Sequence, residues 1–229
     1  MKFSLAADCN PKVTAVLSLP GKPGLDLVMG RGLCDTGQVL HFRKNDRIFS
    51  EGDKTDLFLK VVSGMVRSYT FLTDGRRQVD AFHIKDDVFG LDCGTEYSLF
   101  AEAVCDCTVI SYQLPTLEML ARSHERFSDQ LLSCMIRNFV RSQEHKRLLA
   151  GRTAIAKISA FLLTQAQNSY NGYVVNLLMN QYDLADYLGI TVETISRTLA
   201  TMKHRKIIDF STSHDIELLC IENLHQLCN

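Results

Sequence analysis

The segment NQYDLADYLGITVETISRTLATMKHRKII, residues 180–208, decides the fold of the C-terminal part of the chain. Asn180 is a favourable residue at a helix N-cap, and Asp183 follows three positions later, as in a capping box. An apolar stripe at helical spacing comes next, formed by Leu184, Ala185 and Leu188. The pattern predicts a short amphipathic helix.

A single glycine separates this helix from a second one. Gly189 ends the first helix, because glycine enters the left-handed backbone conformation at little cost. We expect Ile190 to be a buried plug and Thr191 to cap a helix that begins at Val192. Two short helices joined by a tight turn form a helix-turn-helix.

The second helix has two chemically different faces. Its core face consists of Ile195, Leu199 and Met202, and its outer face consists of Glu193, Ser196, Arg197 and Ala200. Arginine can bind guanine O6 and N7 and glutamate can accept from a cytosine amino group, so the outer face is suited to base edges in a DNA major groove. The alternative is a surface ion pair between Glu193 and Arg197, worth about 0.3 kcal/mol.

The letters DLADYLGITVETISRTL, residues 183–199, resemble the recognition motif of the FNR branch of the CRP/FNR transcription regulators. The signature of that branch is a Glu followed by Ser and Arg three and four residues later, and Glu193, Ser196 and Arg197 match it. The resemblance implies a dimer that binds the two TTGA-type half-sites of a palindrome.

Length and composition allow one large domain or two small ones. The chain has 229 residues, of which 46% are hydrophobic, and a net charge of −1. It has no apolar run near the ~18 residues that span a membrane, and its start lacks the features of a signal peptide, so we expect a cytoplasmic protein. Basic residues cluster locally, as expected where only part of a protein meets phosphate. They are Arg137, Arg141, Lys146, Arg147, Arg152 and Lys157, against Glu144.

The N-terminal half changes character near residue 38. Residues 1–37 carry prolines and glycines without periodicity, and we expect them to form a loosely ordered leader. Residues 38–116 contain short, often alternating apolar runs between Gly and Asp turns, which predicts an all-β roll. Residues 49–90 resemble the cyclic-nucleotide-binding type of β-roll of the same family, and DGRRQV, residues 74–79, resembles its FixK group.

The family resemblance also bears on cofactors. Members that bind a cyclic nucleotide carry a Gly-Glu pair and an Arg-Ser pair, and the corresponding positions here are Gly90-Leu91 and Tyr97-Ser98. A buried phosphate without its arginine is strongly disfavoured, so we expect no nucleotide. Members with an iron-sulfur cluster use closely spaced N-terminal cysteines and a late β-roll cysteine, whereas this chain has Cys9, Cys34 and Ile110. We therefore expect no cofactor and no metal.

Helical periodicity returns in residues 117–150, the predicted dimerisation region, with one long helix from about Arg126 to Ala150. A stripe with 3-4 spacing gives the candidate dimer seam: Leu132, Met135, Phe139, Ser142 and Leu149. Ile136 and Val140 form a neighbouring stripe. One stripe can pack on the β-roll and the other on a second copy of the chain. Alternatively, both stripes are buried within one subunit.

Residues 151–229 are predicted to form a winged helix-turn-helix. Gly151 is the expected hinge, Thr153 begins a helix, residues 173–177 form a short strand, and residues 207–210 and 216–220 flank the turn of a wing. Candidates for contacts with the DNA backbone, or for support of the base-contacting helix, are Thr191, Thr194, Lys203, Arg205 and Lys206. Each basic residue among them has an alternative role as an ordinary solvated surface residue.

Eight cysteines without a CxxC pair predict buried, redox or metal-binding thiols rather than disulfides. Cys105 and Cys107 are two positions apart on a predicted strand, so we expect them to share one face, as core residues or as a redox pair. Cys93 lies in a glycine-flanked loop and is a third redox candidate.

Together the patterns predict an α+β protein with an N-terminal β-roll, a dimerisation helix and a C-terminal winged helix-turn-helix. The resemblance implies a homodimeric, non-enzymatic activator of micro-oxic respiration and nitrogen-fixation genes, with promoter DNA and RNA polymerase as partners. A regulator switched by thiols or by a ligand is the alternative within the family. A cysteine-dependent enzyme is an alternative from another class, but the sequence carries no local nucleophile signature.

Overall fold

The computed structural model describes residues 37–92, 94–123, 125–151, 153–167, 173–212 and 215–228. The chain divides into two compact units. One comprises the residues up to Val66 together with His83–Leu132, and the other comprises Arg67–Phe82 together with Ser133–Asn229. The predicted leader, residues 1–37, lies outside the described residues except for Gly37.

The N-terminal half forms the predicted β-roll. Its strands are β1 (Gln38–Phe42), β2 (Arg47–Phe49), β3 (Leu57–Ser63), β4 (Val66–Phe71), β5 (Arg77–His83), β6 (Val88–Phe89), β7 (Phe100–Ala103) and β8 (Cys107–Gln113). In the first unit, one antiparallel sheet has the order β1-β8-β3-β6, and β2 pairs with β7. Inward-facing side chains of these strands form a core that includes Leu59, Val61 and Val109. The helix α1 (Leu114–Ser123) follows β8.

The turns of the β-roll lie where glycine and aspartate predict them. Gly64 lies between β3 and β4 with a φ of 83°. A Cβ at this position would lie 2.5 Å from the Asp106 carbonyl oxygen, so both the backbone conformation and the close approach require glycine. Asp86, between β5 and β6, has a φ of 72°.

The second unit contains most of the hairpin β4–β5 and the C-terminal elements. The helix α2 (Glu125–Leu149) is the predicted long helix, and its residues from Ser133 belong to this unit. The remaining elements are α3 (Ala154–Gln167), β9 (Val174–Asn176), α4 (Gln181–Leu188), α5 (Val192–His204), β10 (Ile208–Phe210), β11 (Asp215–Leu218) and α6 (Ile221–Leu227). The strands form a sheet of order β10-β11-β9, which contains the predicted wing. None of the helices among the described residues is long and apolar enough to cross a membrane.

The helices around the helix-turn-helix begin for different reasons. Thr153 caps α3, because its hydroxyl oxygen accepts a hydrogen bond from the N–H of Ala156 at 3.2 Å. No sequence pattern predicted α6, whose N-cap residue Cys220 makes no side-chain capping hydrogen bond. Burial of Leu224, which is 0% exposed, and packing on α3 hold α6 instead.

Two expectations about single residues are wrong. Ile190 is half-buried rather than a buried plug. Its N–H donates to the Ala185 carbonyl oxygen at 3.1 Å, so backbone hydrogen bonding holds it in the turn. Cys105 does not share a strand face with Cys107, because it lies in the bend before β8, which begins only at Cys107.

Replacing Gly189 with alanine is expected to destabilise the second unit. Gly189 has a φ of 62° and a ψ of 41°, and a non-glycine residue in this conformation costs about 1–2 kcal/mol. A Cβ there would also lie 3.3 Å from Leu149 Cδ2, which adds a tight contact. Urea unfolding measures the loss. Gly75→Ala is the matched control, because Gly75 has a φ of 82° with nothing within 4 Å of its Cβ position. Equal losses for the two variants would contradict the packing contribution.

Candidate nucleic-acid interface

The predicted base-contacting helix is α5, and its two faces lie as the sequence indicates. Thr191 caps it with an extended backbone, and its hydroxyl oxygen accepts from the N–H of Thr194 at 3.2 Å. The core face is buried, at 4% exposure or less: Ile195, Leu199 and Met202. The outer face is exposed: Glu193, Ser196, Arg197 and Ala200. Thr191 and Thr194 therefore support the start of a helix whose polar face is free to meet a ligand.

Glu193 and Arg197 present an acceptor and a donor one helical turn apart. The backbone N–H of Glu193 itself and the hydroxyl of Thr191 hold the pKa of this carboxyl group below its usual value, so the carboxylate is charged. Arg197 Nε donates to the backbone carbonyl oxygen of Glu193 at 3.4 Å. The arginine stem is thus held along the helix, and a charged acceptor and a guanidinium lie on the same exposed face.

The C-terminal end of α5 is closed by backbone hydrogen bonds of the Schellman type. The N–H of Ile207 donates to the Met202 carbonyl oxygen at 3.0 Å, and the N–H of Lys206 donates to the Lys203 carbonyl oxygen at 2.9 Å. Lys206 has a φ of 54°, the left-handed conformation that glycine usually takes at this position. Arg205 and Lys206 are both exposed at the junction between α5 and β10.

Lys203 is bound within the protein. Its Nζ lies 2.8 Å from Asp209 Oδ1 and 5.5 Å from the centre of the Phe210 ring. The hydrogen bond from Lys203, followed by that from the Phe210 N–H, lowers the pKa of Asp209. Lys203 therefore joins α5 to β10, and a DNA phosphate has to compete with Asp209 for it.

The basic residues between 137 and 157 also divide into two groups. Those on α2 are exposed: Arg137, Arg141, Lys146 and Arg147. Lys157 on α3 instead donates from Nζ to the Leu188 carbonyl oxygen at 3.1 Å, at the end of α4. Arg152 lies outside the described residues. Lys157 therefore stabilises the fold, whereas the four basic residues on α2 contribute exposed positive charge.

The fold implies a cyclic nucleotide, and the β-roll residues do not fit one. Tyr97 is 5% exposed, its ring centre lies 3.9 Å from that of Phe49, and its hydroxyl donates to the Leu57 carbonyl oxygen at 2.6 Å. The N–H and hydroxyl of Ser98 donate to Asp92 Oδ2 at 2.7 and 2.5 Å. Where the resemblance implies phosphate binding, an aromatic ring and a carboxylate are present. The family resemblance also points to three positions for the ligands of an iron-sulfur cluster. Of these, Ile110 lies on β8, and Cys9 and Cys34 lie outside the described residues.

The three redox candidates have different surroundings. Burial raises the pKa of Cys107 to about 12, so its thiol is protonated at neutral pH and behaves as a core residue. Cys105 is half-buried, and Cys93 lies outside the described residues. Of these three candidates, Cys107 is therefore unsuited to be the thiol of a redox switch.

The helix α2 exposes a continuous apolar surface. Its members are Leu132 (58% exposed), Met135 (52%), Ile136 (54%), Phe139 (64%) and Val140 (46%). Both predicted stripes are thus exposed here rather than buried within the subunit. The seam candidates Ser142 and Leu149 are half-buried, and Leu149 lies close to Gly189 of its own chain.

The hairpin β4–β5 contacts α4 in a way that no sequence pattern predicted. The N–H of Asp183 donates to Asn180 Oδ1 at 2.9 Å, which confirms the N-cap. The Asp183 carboxylate, however, accepts from Arg67 and Arg77 of the hairpin rather than completing a capping box. The sequence does contain basic residues in DGRRQV, residues 74–79, and acidic residues in DLAD, residues 183–186. Only the tertiary fold shows that these two segments pair.

Comparison with known protein families assigns a domain to each half of the chain. Residues 39–124 match the cyclic nucleotide-binding domain family, and residues 156–227 match the Crp-like helix-turn-helix domain family. The second match contains α4, α5 and the wing, and the first contains the β-roll.

Individual relatives match most of the chain. The nitrogen fixation regulation protein FixK of Rhizobium meliloti is 33% identical over 191 residues, which are 83% of this chain and 87% of the relative. FixK of Azorhizobium caulinodans is 34% identical over 223 residues, 95% of this chain and 84% of the relative. The solved structure of FixK2 from Bradyrhizobium japonicum has a TM-score of 0.78 at 34% identity and covers 85% of this chain and 98% of that chain. The chain therefore belongs to the FixK group of the CRP/FNR family, and it is a DNA-binding transcription regulator.

Proposed function

We propose that the chain is a homodimeric activator that binds a palindrome of TTGA-type half-sites through α5. The observation that carries this proposal is the exposed triad Glu193, Ser196 and Arg197 on a capped helix whose opposite face is buried. Arg197 and Glu193 contact the G·C pair of each half-site, and Ser196 contacts a neighbouring thymine or phosphate. Arg205, Lys206 and, once released from Asp209, Lys203 contact the DNA backbone.

The second copy of the chain packs along α2. Large apolar side chains are exposed over residues 132–140, and a monomeric protein rarely exposes a contiguous patch of this kind. Leu132, Met135 and Phe139 follow the a and d spacing of a two-stranded coiled coil. A two-fold dimer also places its two α5 helices on half-sites about 34 Å apart, which is what a palindrome requires.

The proposed targets are promoters of nitrogen-fixation and micro-oxic respiration genes. Both FixK relatives are nitrogen fixation regulation proteins, and the family resemblance supports the micro-oxic role. Activation requires RNA polymerase as a partner at the same promoter, and the site of action is the cytoplasm, where promoter DNA lies. We assign no catalytic activity to the chain, because its relatives are transcription regulators.

A thiol-switched regulator is the second candidate, supported by the partial exposure of Cys105. Fluorescence anisotropy on a TTGAT-N4-ATCAA duplex, in air and with a reductant, separates the two. Tight binding in both conditions supports a constitutively competent activator, whereas binding only with the reductant supports a switch.

Arg197→Ala is expected to lose specificity for this duplex. Binding to this duplex should become less favourable by about 1–3 kcal/mol per half-site, because the guanine contact is lost. Binding to a random duplex should change little. Lys203→Ala is the contrasting variant, because loss of a phosphate contact weakens all sequences alike. Anisotropy titrations with both duplexes measure the difference. Unchanged binding of both duplexes by Arg197→Ala would contradict its assigned role.

Phe139→Asp is expected to convert the dimer to a monomer. A charge at the centre of the apolar seam has to be buried without a partner when the second copy packs there. Sedimentation velocity should show half the mass, and binding to the palindrome should fall toward that of a single half-site. Met119→Asp is the control, because Met119 is 59% exposed on α1, outside the seam. A Phe139→Asp variant that sediments as a dimer would rule out this seam.

A further inference from the structure

The hairpin β4–β5 holds α4, the first helix of the helix-turn-helix, through charged side chains. Arg77 Nη2 donates to Asp183 Oδ1 at 2.7 Å, and its Nε donates to Asp186 Oδ2 at 2.7 Å. Arg67 Nη1 donates to Asp183 Oδ2 at 3.0 Å. Each carboxylate oxygen of Asp183 therefore faces a different arginine, and both arginines come from the hairpin.

The charges of Asp183 and Arg67 are removed from water, so these two groups need partners when α4 lies on the hairpin. The side chain of Asp183 is 1% exposed and that of Arg67 is 6% exposed. Burial by itself would lower the pKa of Arg77, but its hydrogen bond to Asp186 and the charge of Asp183 raise the pKa overall. A buried charge that loses its partner is strongly destabilising, so the contact tolerates only this register.

The C-terminal carbonyl groups of α4, which have no helical partner, also bind groups outside the helix. They accept hydrogen bonds from three elements: Asp186 from Gln78 Nε2 of β5 at 2.6 Å, Tyr187 from His145 Nε2 of α2 at 2.7 Å, and Leu188 from Lys157 Nζ of α3 at 3.1 Å. The rings of His145 and Tyr187 also stack at 3.9 Å. Both ends of α4 are thus fixed by side chains from the rest of the unit.

A short and rigid connection joins α4 to the base-contacting helix. The N–H groups of Gly189 and Ile190 both donate to the Ala185 carbonyl oxygen, and Thr191 already caps α5. No flexible segment lies between the two helices, so the direction of α5 follows that of α4.

We infer that Arg77, Arg67 and Gln78 are positioning residues for DNA binding. Their side chains extend from the hairpin β4–β5, which fixes α4 and thereby aims α5. A helix that is already aimed does not have to be ordered when DNA binds, which favours affinity. The inference rests on the proposed use of α5 at TTGA half-sites only for the choice of duplex. It assigns a role to residues that do not themselves contact bases.

The decisive variants are Arg77→Ala and Asp186→Ala. Arg77→Ala should weaken binding to the TTGAT-N4-ATCAA duplex about fivefold to tenfold, because α4 is no longer held. Asp186→Ala removes a negative charge, which would strengthen binding to a polyanion if charge alone mattered. The positioning role predicts the opposite sign, a loss similar to that of Arg77→Ala. Anisotropy titrations at several salt concentrations measure both effects.

Matched controls distinguish a positioning role of Arg77 from a direct effect of its charge on DNA binding. Arg76→Ala removes the same charge at the neighbouring residue, whose side chain is 72% exposed and pairs with Asp74, and its affinity should stay within about twofold of the wild type. Arg77→Lys keeps the charge but lacks the guanidinium group that joins two carboxylates. Its affinity for the duplex should therefore lie between that of the wild type and that of Arg77→Ala. The salt dependence of Arg77→Ala should equal that of the wild type, because no phosphate contact is lost.

Hydrogen exchange gives an independent measurement that does not need DNA. The amides of α4 and α5 should exchange faster in Arg77→Ala than in Arg76→Ala, whereas a residue without a positioning role would leave them alike. Gln78→Ala serves if Arg77→Ala fails to fold, because it leaves the ion pairs in place and removes the hydrogen bonds from Gln78 Nε2 to the carbonyl oxygens of Asp186, Tyr187 and Val79. It should show the same faster exchange to a smaller extent.

Several results would overturn the inference. Tighter DNA binding by both Arg77→Ala and Asp186→Ala would mean that the hairpin restrains α5 rather than aims it. Equal losses in Arg76→Ala and Arg77→Ala, or a weaker salt dependence in Arg77→Ala, would mean that Arg77 acts through its charge on DNA. A wild-type protein that does not prefer the TTGA duplex would refute the proposed half-site, and hydrogen exchange would still decide the positioning role.

Discussion

The arrangement of the C-terminal unit depends on one buried carboxylate, that of Asp183. Removing an ion from water costs several kcal/mol, and only partners in good geometry offset that cost. Arg67 and Arg77 supply those partners from the hairpin, one to each oxygen of the carboxylate. The hairpin and α4 therefore have one favourable register, and α5 inherits its direction from it.

The basic residues of this chain perform two tasks. Arg67, Arg77 and Lys157 are bound to acceptors on α4, and Lys203 is bound to Asp209, so their charges hold the unit together. Another group is exposed on or beside α5 and includes Arg197, Arg205 and Lys206. A net charge of −1 is compatible with DNA binding, because phosphate contacts depend on locally exposed basic residues rather than on the net charge of the chain.

The β-roll has the fold of a nucleotide-binding domain with different chemistry at the ligand position. Tyr97 packs on Phe49, and Asp92 accepts both hydrogen bonds that Ser98 offers. These internal contacts lie at the positions where the family resemblance implies phosphate binding. The hairpin 67–82, although it lies within the β-roll in sequence, groups with the DNA-binding unit, so this part of the roll supports α4.

The sequence by itself determined the features that depend on neighbouring residues. Asn180 and Gly189 fixed the two ends of α4, and Thr191 fixed the start of α5. Helical spacing separated the buried face of α5 from its exposed face. Caps and faces involve residues within a few positions of one another. Only the tertiary structure decided that Asp183 binds arginines 106 and 116 residues away and that Leu149 faces Gly189. Partners at such distances are chosen by the packing of whole elements, which no local pattern contains.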